Sequence, residues 1–573
     1  MCGILFGVGY SKSKFSMGQS RIFHRGPDVS SSIFLENEQR YFGFQRLSIQ
    51  DLSLKASQPY WSRSKRFLLL YNGEIYNKKT LTTNFLMNRE MNTESDTEVI
   101  AEMLEKMGVR RTLNLLEGMF AFCIYDTLTK KTILARDYFG IKRLYWYGNR
   151  KNQFIAASEI SAIFEIIKTP KPNLNAIHDW INHGLIDHNE NTFFDGINVL
   201  PAGHLMEIDE FGNIEITDWR NELSHIEFTN QKQYLMALEE TLFEIVESSL
   251  IGDVKMGTLL SGGIDSSLLF EIVKKFDSDM KAYTLDWNNE NYSEIQWINE
   301  ITKPKNHIVV QSTESEIFER IPKSLKHYCQ PFGSPFLIGM EKLFYQAKRN
   351  GNIVMFDGNG LDEFFLGYSK YRTKSKSSDF SKLSQDNTNG LRPKISGRFL
   401  GDCNQFNCKK YYEIGSIEVD EMRKRDIFTS KLPRALRYSD QASMMYSCEL
   451  RVPFVNQRLY SLALSARFDW LQDKNLGKKP IRQILSSLTN SDASFAEKRA
   501  VQLPMREWFV KDWDSKVCSI LSESTLKQKE WIDLDSFFLE YTNFKNSYSI
   551  DTSNALFLWQ WLSLALWSNE FVQ

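Results

Sequence analysis

The sequence predicts two folds in series, a β-rich amino-terminal region and a parallel α/β domain that fills most of the remaining chain. Short apolar runs that end in turn residues, such as 67–71 and 121–125, predict strands in the first part. In the second part, an apolar strand at 257–260, a glycine-rich loop and an apolar helix follow one another. That order is how a parallel α/β unit begins.

The amino-terminal region is predicted to contain few helices. One helix stands out at 95–107, where five apolar residues recur at helical spacing: Val99, Ile100, Met103, Leu104 and Met107. The strand at 67–71 is predicted to end at Asn72 and Gly73, because Asn-Gly is a frequent turn sequence. Residues 210–232 are polar and irregular, and we expect them to form a linker.

The second region alternates strands with helices. Apolar residues at helical spacing predict a helix at 233–250, ahead of the first strand, loop and helix. Further strands are expected at 281–286 and 353–356, and the pattern beyond residue 420 is largely helical and tryptophan-rich. The second region is therefore predicted to be a parallel-sheet domain with a helical carboxyl-terminal part.

These patterns set the predicted domain boundaries. The first domain is expected at 1–209 and the second at 233–573, with the linker 210–232 between them. Residues 373–415 are rich in Ser, Lys, Asn and Asp, and we expect them to be a loop inserted in the second domain.

The bulk composition is that of a globular protein without a polyanionic partner. The 573 residues include 70 basic and 71 acidic ones, so the net charge of −1 does not point to nucleic acid or an acidic membrane surface. No stretch supplies the roughly 20 apolar residues of a membrane helix, and the start of the chain lacks the pattern of a signal peptide. The seven cysteines are widely spaced, which favours reduced thiols. We expect a cytoplasmic protein with no nucleic-acid or membrane partner.

A cysteine at position 2 directly follows the initiator Met. Once the Met is removed, the α-amino group of Cys2, whose ordinary pKa is about 8, can serve as general base for its own thiol. Four further motifs follow in order. They read His-Arg-Gly-Pro-Asp at 24–28, Arg-Leu-Ser-Ile at 46–49, Tyr-Asn-Gly-Glu-Ile-Tyr-Asn at 71–77 and Glu-Ser-Asp-Thr at 94–97.

This set of motifs resembles the class II glutamine amidotransferase domain, which has the αββα sandwich of the N-terminal nucleophile hydrolases. The resemblance implies that Cys2 is the nucleophile that attacks the side-chain amide of glutamine. It also implies that the side-chain amide of Asn72 and the backbone N–H of Gly73 form an oxyanion hole for the tetrahedral intermediate. The first domain is thus expected to release ammonia from glutamine.

The same resemblance implies a set of residues that bind glutamine. Arg46 would hold the α-carboxylate, because a guanidinium fork suits a planar anion. Glu74 and Asp96 would bind the α-ammonium group, while Asn72 and Gly73 would contact the amide that reacts.

The loop at 261–267 reads Ser-Gly-Gly-Ile-Asp-Ser-Ser and follows a predicted strand. Small residues let backbone N–H groups approach a pyrophosphate at a helix N-terminus. Ser261, Gly262, Gly263 and Ser266 can supply such contacts, and Asp265 can hold a magnesium ion that bridges phosphates. The motif resembles the pyrophosphate loop of ATP pyrophosphatases, which cleave ATP to AMP and pyrophosphate. A Walker-type phosphate loop is absent from the sequence.

A second signature at 357–368 reads Asp-Gly-Asn-Gly-Leu-Asp-Glu-Phe-Phe-Leu-Gly-Tyr. It resembles a signature of the glutamine-hydrolysing asparagine synthetases, and the segments 439–444 and 449–454 match a further block of that family. The resemblance covers nearly the whole chain, apart from 210–232 and 373–415.

The family resemblance implies further residues around a bound nucleotide. Asp362 matches a ligand of magnesium pyrophosphate, and either Lys478 or Lys479 matches a lysine that steadies the charges of the adenylate and pyrophosphate. By the same resemblance, four residues are expected to border the nucleotide: Leu259, Leu285, Asp357 and Gly358.

Together the two resemblances imply an amidation that uses glutamine, ATP and magnesium. ATP would convert a carboxylate into an acyl-adenylate, and ammonia from the first domain would attack the acyl carbon. Ammonia is mostly protonated near neutral pH, so we expect a sheltered tunnel between the two domains. In the asparagine synthetases the acceptor is aspartate and the product is asparagine.

One position departs from the family and leaves the acceptor open. Asn359 stands where the family has Glu in Gly-Glu-Gly-x-Asp-Glu, and Asn cannot take a proton. The alternatives to aspartate are another carboxylate, such as a uronic acid sugar of a surface polysaccharide, or a non-catalytic synthetase-like module beside a working glutaminase. The oligomeric state cannot be read from the chain, and a homodimer is left open.

Overall fold

The computed structural model describes residues 2–149, 153–168, 170–371, 419–473, 476–496, 503–546 and 555–572. The predicted insertion at 373–415 lies outside these ranges. The five cysteines inside them form no disulfide with one another. Among the helices in these ranges, none combines the length and the apolar character needed to cross a membrane.

Two six-stranded antiparallel sheets form the centre of the amino-terminal domain. Their strands are β1 Gly3–Val8, β2 Val29–Leu35, β3 Arg40–Arg46, β4 Tyr60–Trp61, β5 Phe67–Ile75, β6 Gly118–Asp126, β7 Lys131–Arg136, β8 Tyr145–Asn149, β9 Gln153–Ala157, β10 Asn198–Val199, β11 His204–Ile208 and β12 Ile214–Asp218. The first sheet has the order β10-β8-β9-β1-β3-β2, and the second has the order β12-β11-β7-β6-β5-β4.

Helices cover the outer faces of the two sheets. They are α1 Lys12–Arg21, α2 Lys78–Phe85, α3 Asp96–Met107, α4 Val109–Leu115, α5 Ile160–Ile167 and α6 Leu174–His183. Helices α1 and α5 pack against each other and against the first sheet, whereas α3 packs against β5 of the second. Helix α3 confirms the helix predicted at 95–107.

Alternating side chains assign the two faces of each sheet to different cores, as the period of a strand requires. Ile4 and Phe6 of β1 share a buried cluster with Leu68 and Leu70 of β5, and this cluster lies between the sheets. Leu5 belongs instead to the cluster that includes residues of α5 and α6. The resulting order of helix, sheet, sheet and helix confirms the predicted αββα sandwich.

A five-stranded parallel sheet forms the centre of the carboxyl-terminal domain. Its strands are β13 Met256–Leu259, β14 Lys281–Asp286, β15 His307–Gln311, β16 Val354–Phe356 and β17 Glu449–Arg451, in the order β15-β14-β13-β16-β17. The helices around and beyond it are α7 Gln231–Ser249, α8 Ile264–Phe276, α9 Ile295–Ile301, α10 Glu314–Tyr328, α11 Phe336–Arg349, α12 Leu361–Phe364, α13 Val419–Phe428, α14 Lys431–Met444, α15 Gln457–Ser465, α16 Phe468–Leu471, α17 Lys479–Thr489, α18 Met505–Glu507, α19 Asp514–Glu523, α20 Thr525–Gln528, α21 Leu534–Asn546 and α22 Leu556–Phe571. The predicted parallel-sheet domain with a helical carboxyl-terminal part is confirmed.

Two local predictions were wrong. The chain does not turn at Asn72 and Gly73, because β5 continues to Ile75 and stays paired with β6 over its whole length. The predicted linker is not irregular throughout, because β12 adds to the edge of the second sheet by pairing with β11. In both cases a neighbouring strand satisfies the backbone and overrides the local turn or loop signal. The exact domain boundaries stay a prediction.

Helix α22 packs against both domains. Its Trp567 ring lies 5.4 Å from Phe193 and 5.6 Å from Phe194 of the amino-terminal domain, measured between ring centroids. The indole N–H of Trp567 donates to the carbonyl oxygen of Cys329 at 2.8 Å. A single apolar cluster therefore spans the junction of the two domains.

Candidate functional site

One pocket gathers the sequence-predicted residues of the first site. Five of these residues line it: Cys2, Arg46, Gly73, Glu74 and Asp96. Cys2 directly precedes β1, and its Sγ lies 3.9 Å from the carbonyl oxygen of Leu47. Burial raises the pKa of the Cys2 thiol, and nearby positive charges, including Arg46, oppose that rise. The partly buried thiol thus lines the same pocket as the other predicted residues.

Asn72 lies beside the cysteine with its side chain fully buried. Its Oδ1 accepts a hydrogen bond from the backbone N of Cys2 at 2.9 Å. Its Nδ2 has no hydrogen-bond partner among the described residues. A buried N–H group without a partner costs free energy unless a ligand accepts from it. The amide is therefore placed to donate to an oxyanion that forms next to Cys2.

Glycine is the one residue type that fits at position 73 in β5. It lies opposite Phe120 of β6, and a Cβ atom added there would stand 2.1 Å from the carbonyl oxygen of Met119. Any other residue would push the two strands apart. The glycine predicted from the motif is thus required by close backbone packing.

The guanidinium of Arg46 is held at the pocket wall by the loop that follows β3. Nη1 donates to the carbonyl oxygen of Ser53 at 2.6 Å and to Oγ of Ser57 at 3.2 Å, and Nη2 donates to the carbonyl oxygen of Asp51. These contacts are to neutral groups, so the positive charge of Arg46 is not cancelled by a carboxylate at these positions. An anionic ligand group would gain from it.

Two buried carboxylates stand in the same pocket wall. Asp96 opens α3, and its Oδ2 accepts from the hydroxyl of Tyr71 at 2.7 Å and from the backbone N of Ile75 at 3.1 Å. Burial raises the pKa of Asp96. Burial likewise raises the pKa of Glu74 well above its usual range, against the opposing effect of Arg451. A cationic group in the pocket would favour the ionised form of both.

The second site lies at the carboxyl edge of the parallel sheet, where ligands of open α/β sheets bind. Leu259 and Leu285 are both buried at the ends of β13 and β14. In the loop after β13, the backbone N of Ser261 donates to Oγ of Ser266, and that hydroxyl donates to the carbonyl oxygen of Gly263, both at 3.1 Å. These bonds shape the loop around the N-terminus of α8.

Lys478 joins two of the predicted phosphate-site acids. Its Nζ lies 2.8 Å from Oδ1 of Asp265 and 2.7 Å from Oδ1 of Asp362. Although burial opposes it, the two carboxylates raise the pKa of Lys478, so the ammonium stays charged. Of the two lysines that the sequence left open, the structure brings Lys478 to these acids, while Lys479 begins α17 with a partly exposed side chain.

The turn after β16 packs against the loop at 261–267, at the carboxyl edge of the parallel sheet. A Cβ on Gly358 would stand 2.8 Å from the backbone carbonyl carbon of Asp265 and 3.0 Å from the backbone N of Ser266, so the turn needs a glycine. Asn359 Nδ2 donates to Oδ2 of Asp357 at 2.7 Å. Burial, with a smaller contribution from Asp265, raises the pKa of Asp357 to about 6.

Sequence reasoning missed the residue that links the two sites. Arg451 ends β17 and is fully buried, with Nε 2.6 Å from Oε1 of Glu449 and Nη2 3.0 Å from Oε2 of Glu74. The backbone N of Asp357 donates to the carbonyl oxygen of Arg451 at 2.9 Å. The motif around 449–454 was visible in the sequence. Its partner Glu74 lies 377 positions away, and no local pattern reveals such a pairing.

Comparisons with known proteins agree with this arrangement. A family model for the glutamine amidotransferase domain matches residues 1–219, and one for asparagine synthase matches residues 237–569. Glutamine-hydrolyzing asparagine synthetase 1 of Bacillus subtilis (strain 168) is 26% identical over 551 residues, which cover 88% of this chain and 86% of that protein. Glutamine-hydrolyzing asparagine synthetase 2 of the same organism is 29% identical over 504 residues, which cover 80% of this chain and 66% of that protein.

A mammalian relative shows the same extent of similarity. The glutamine-hydrolyzing asparagine synthetase of Bos taurus is 27% identical over 504 residues, which cover 83% of this chain and 79% of its own. The asparagine synthase model alone spans more than half of the chain, and the amidotransferase model precedes it without overlap. The chain therefore belongs to the asparagine synthase family of glutamine-dependent ligases.

Proposed function

We propose that the chain transfers the amide nitrogen of glutamine to a carboxylate that it first activates with ATP. One observation carries this proposal: a single buried residue contacts both sites. The guanidinium of Arg451 pairs with Glu74 in the Cys2 pocket, and its carbonyl oxygen accepts from Asp357 at the nucleotide edge. Nitrogen release and acceptor activation are therefore proposed to be two halves of one reaction.

In the first half, Sγ of Cys2 attacks the side-chain carbonyl carbon of glutamine. If the initiator Met is removed, the nitrogen that donates to Asn72 becomes the α-amino base that takes the thiol proton. The oxygen that gains negative charge accepts from Nδ2 of Asn72, the unpartnered buried donor, and from the backbone of Gly73. The α-amino group passes that proton to the departing nitrogen as the carbon–nitrogen bond breaks, so ammonia leaves. Water then hydrolyses the thioester and releases glutamate.

The α-carboxylate and the α-ammonium group of glutamine are each proposed to be bound by residues of opposite charge. Arg46 supports the α-carboxylate, because its guanidinium is anchored by neutral loop oxygens and keeps its charge available. Glu74 and Asp96 support the α-ammonium group, because they are the carboxylates that line the pocket. When these two groups are bound, the side-chain amide of glutamine points toward Cys2.

In the second half, an oxygen of the acceptor carboxylate attacks the α-phosphorus of ATP and pyrophosphate leaves. The loop at 261–267 and the ammonium of Lys478 are proposed to bind the departing pyrophosphate. Asp265 and Asp362 would supply hard oxygen ligands of the kind that magnesium prefers, and a bound magnesium ion would offset phosphate charge. Ammonia then attacks the acyl-adenylate, which gives the amide and AMP.

Aspartate is the acceptor that we propose first, because the relatives named above are asparagine synthetases. Asn359 favours the second candidate, a different carboxylate such as a uronic acid sugar. The asparagine side chain cannot accept a proton from the incoming ammonia, and its Nδ2 is already bonded to Asp357 at 2.7 Å. An acceptor that supplies its own base, or whose reaction needs no base, could still be amidated with Asn rather than Glu at position 359.

A pyrophosphate-release assay separates these possibilities. Purified protein is incubated with glutamine, ATP and magnesium together with aspartate, glucuronate, galacturonate or no acceptor. Release with aspartate, together with formation of asparagine, supports the first candidate. Release with a uronate alone supports the second. Glutamate formation without pyrophosphate release for any acceptor would contradict both candidates and support a non-catalytic synthetase-like domain.

A further inference from the structure

A cluster of two histidines and one glutamate lies apart from both proposed reactions. His24 follows α1, Glu159 directly precedes α5, and His327 lies near the end of α10. One potential ligand atom of each residue lies within 4.8 Å of the other two, and this is the one group of its kind in the described part of the chain. His24 belongs to the motif at 24–28, to which the proposed reaction assigns no role.

The separations within the cluster suit a single metal ion. Nε2 of His24 donates to Oε1 of Glu159 at 3.0 Å, so in the metal-free protein a proton occupies the place that an ion would take between them. The ring centroids of His24 and His327 are 4.8 Å apart. Two tetrahedral ligands that each bind zinc at roughly 2.0–2.1 Å are about 3.3–3.4 Å apart. The hydrogen-bonded pair of His24 and Glu159 is slightly closer than this spacing, and the ligand atoms of all three residues lie within 4.8 Å of one another, so the three side chains would draw together or apart by small amounts around an ion.

The hydrogen bonds around the cluster prepare the ligands. Nε2 of His327 lies 3.2 Å from the carbonyl oxygen of Gln441 and must donate to it, because a carbonyl oxygen only accepts. The lone pair of His327 is therefore on Nδ1, and a ring N–H bonded to a backbone carbonyl is the usual support of a metal-binding histidine.

The charges nearby balance before any cation binds. Arg25 Nη1 lies 2.9 Å from Oε1 of Glu159 and 3.1 Å from Oδ2 of Asp440, and Nζ of Lys142 lies 3.4 Å from Oδ1 of Asp440. The ion would therefore share the Glu159 carboxylate with Arg25 and add the two imidazoles as ligands. The side chain of His24 is 25% exposed, which leaves a path from solvent.

We propose that His24, Glu159 and His327 bind a divalent transition-metal ion of the zinc class that clamps the two domains together. Two ligands come from the amino-terminal domain and one from α10 of the carboxyl-terminal domain. Imidazole nitrogen favours zinc, cobalt or nickel over magnesium, so the site is distinct from the proposed magnesium site of the nucleotide edge. A water molecule at the exposed side would complete the coordination.

The test is direct metal binding by the full chain after removal of metals with a chelator. Zinc is titrated by calorimetry and cobalt by visible absorption, each in excess magnesium. We expect one ion per chain, and at least about tenfold weaker binding in each of the variants His327→Ala and Glu159→Gln. His225→Ala, at an exposed histidine between β12 and α7, is the matched control and should bind as the unmodified protein does.

Two readouts keep the result interpretable if a variant is destabilised. Zinc should raise the thermal unfolding midpoint of the unmodified protein and of His225→Ala, but not of His327→Ala or Glu159→Gln, each compared with its own metal-free form. The cobalt spectrum should lack an intense thiolate charge-transfer band. Equal zinc binding by His327→Ala, no zinc binding by the unmodified protein, or a thiolate band that vanishes in Cys2→Ala would each overturn the proposal.

Discussion

Cys2 and Asn72 contact each other before any substrate is present, and that contact orients both. The backbone N of Cys2 holds Oδ1 of Asn72, so the amide must present Nδ2 to the pocket. Removing the thiol leaves the synthetase edge intact, because that edge is built from the loops after β13 and β16. The two activities can therefore be separated by single substitutions.

Cys2→Ala is expected to abolish glutamine-dependent amide formation and to preserve the ammonia-dependent reaction. The substitution removes the nucleophile and leaves the nucleotide residues unchanged. Product formation is measured with glutamine and, separately, with ammonium chloride as the nitrogen source. Cys518→Ala, at a partly buried cysteine of α19, is the control and should keep both reactions. Loss of both reactions in a folded Cys2→Ala protein would contradict a two-site enzyme.

Lys478→Met is expected to reduce pyrophosphate release by at least about a hundredfold, because a charge that stabilises a leaving group typically has that effect. The methionine also leaves Asp265 and Asp362 without their shared cation. Lys479→Met, one residue further on, should change the rate by less than about threefold. Equal losses in the two variants would show that the ion pairs of Lys478 have no special role. Glutamine hydrolysis serves as the folding control.

At the scale of elements, two strands carry the connection between the sites. Strand β5 runs straight through the predicted turn and brings Glu74 to the domain junction. Strand β17 pairs in parallel with β16 and brings Arg451 from the other side. Glu449 and Glu74 both contact this one guanidinium, so the ion pair depends on where the two strands end.

A double-mutant cycle tests this connection. Glu74→Gln and Arg451→Lys are each expected to raise the KM for glutamine, since each weakens the buried pair. In the double variant the KM for glutamine should rise by less than the two single effects predict when their free energies are added. The difference, the coupling free energy, should be at least about 1 kcal/mol, as is usual for residues in one network. The KM for ATP in the ammonia-dependent reaction is the control. Strict additivity would mean that Arg451 does not act through Glu74.

At the scale of the whole molecule, the two domains form one body around a shared apolar cluster. Helix α22 contributes much of it and lies against α6 and α10, which belong to different domains. The indole N–H of Trp180 donates to the carbonyl oxygen of Gln560 at 3.3 Å, which adds a polar contact to the apolar ones. The proposed transfer of ammonia between the two sites requires that the domains keep a fixed position relative to each other.

Trp567→Ala is expected to lower the free energy of unfolding by about 3–5 kcal/mol, the usual cost of truncating a buried tryptophan. Because Trp567 packs against both domains, heating should inactivate glutamine hydrolysis and ammonia-dependent synthesis at the same lowered temperature. Phe211→Ala, at an aromatic residue that is 75% exposed, is the control. Inactivation of one activity well before the other would contradict a shared core.

In the variant Glu363→Gln, the free energy of unfolding is expected to change less with pH between about 4.5 and 7 than in the unmodified protein. Burial, followed by the charge of Asp362, raises the pKa of Glu363 from its ordinary value of 4.5 to about 7. Between these values the folded protein keeps the proton and the unfolded chain loses it. The contribution of Glu363 is therefore fully present below about pH 4.5 and is lost as the pH rises to about 7, a change of about 3 kcal/mol.

The measurement is the unfolding midpoint of the ligand-free protein at several pH values between 4.5 and 8. The amide of Glu363→Gln can still accept from the hydroxyl of Tyr368, which donates to Glu363 at 2.6 Å. The variant should be the more stable of the two proteins above pH 7. The exposed Glu300→Gln should follow the unmodified protein throughout. A variant with an unchanged pH slope would contradict the raised pKa.

Much of the fold could be predicted because its signals are local. The amphipathic spacing at 95–107 and the strand, loop and helix that begin at 257 are periodic patterns of hydrophobic burial, and both formed as expected. The prediction failed at Asn72 and Gly73 and within 210–232, where strands β6 and β11 supply distant hydrogen-bond partners. Sheet pairing depends on contacts far along the chain, so a local turn signal cannot exclude it.

By itself the sequence determined which chemical groups this protein has, in which order, and which two domain folds carry them. Motifs at fixed spacing are enough for that, since each loop places its own few residues. Only the tertiary structure decided that Lys478 rather than Lys479 meets Asp265 and Asp362, and that Arg451 joins Glu74 to the nucleotide edge. Such choices depend on the packing of strands and helices from distant parts of the chain, and local sequence does not encode the distances between them.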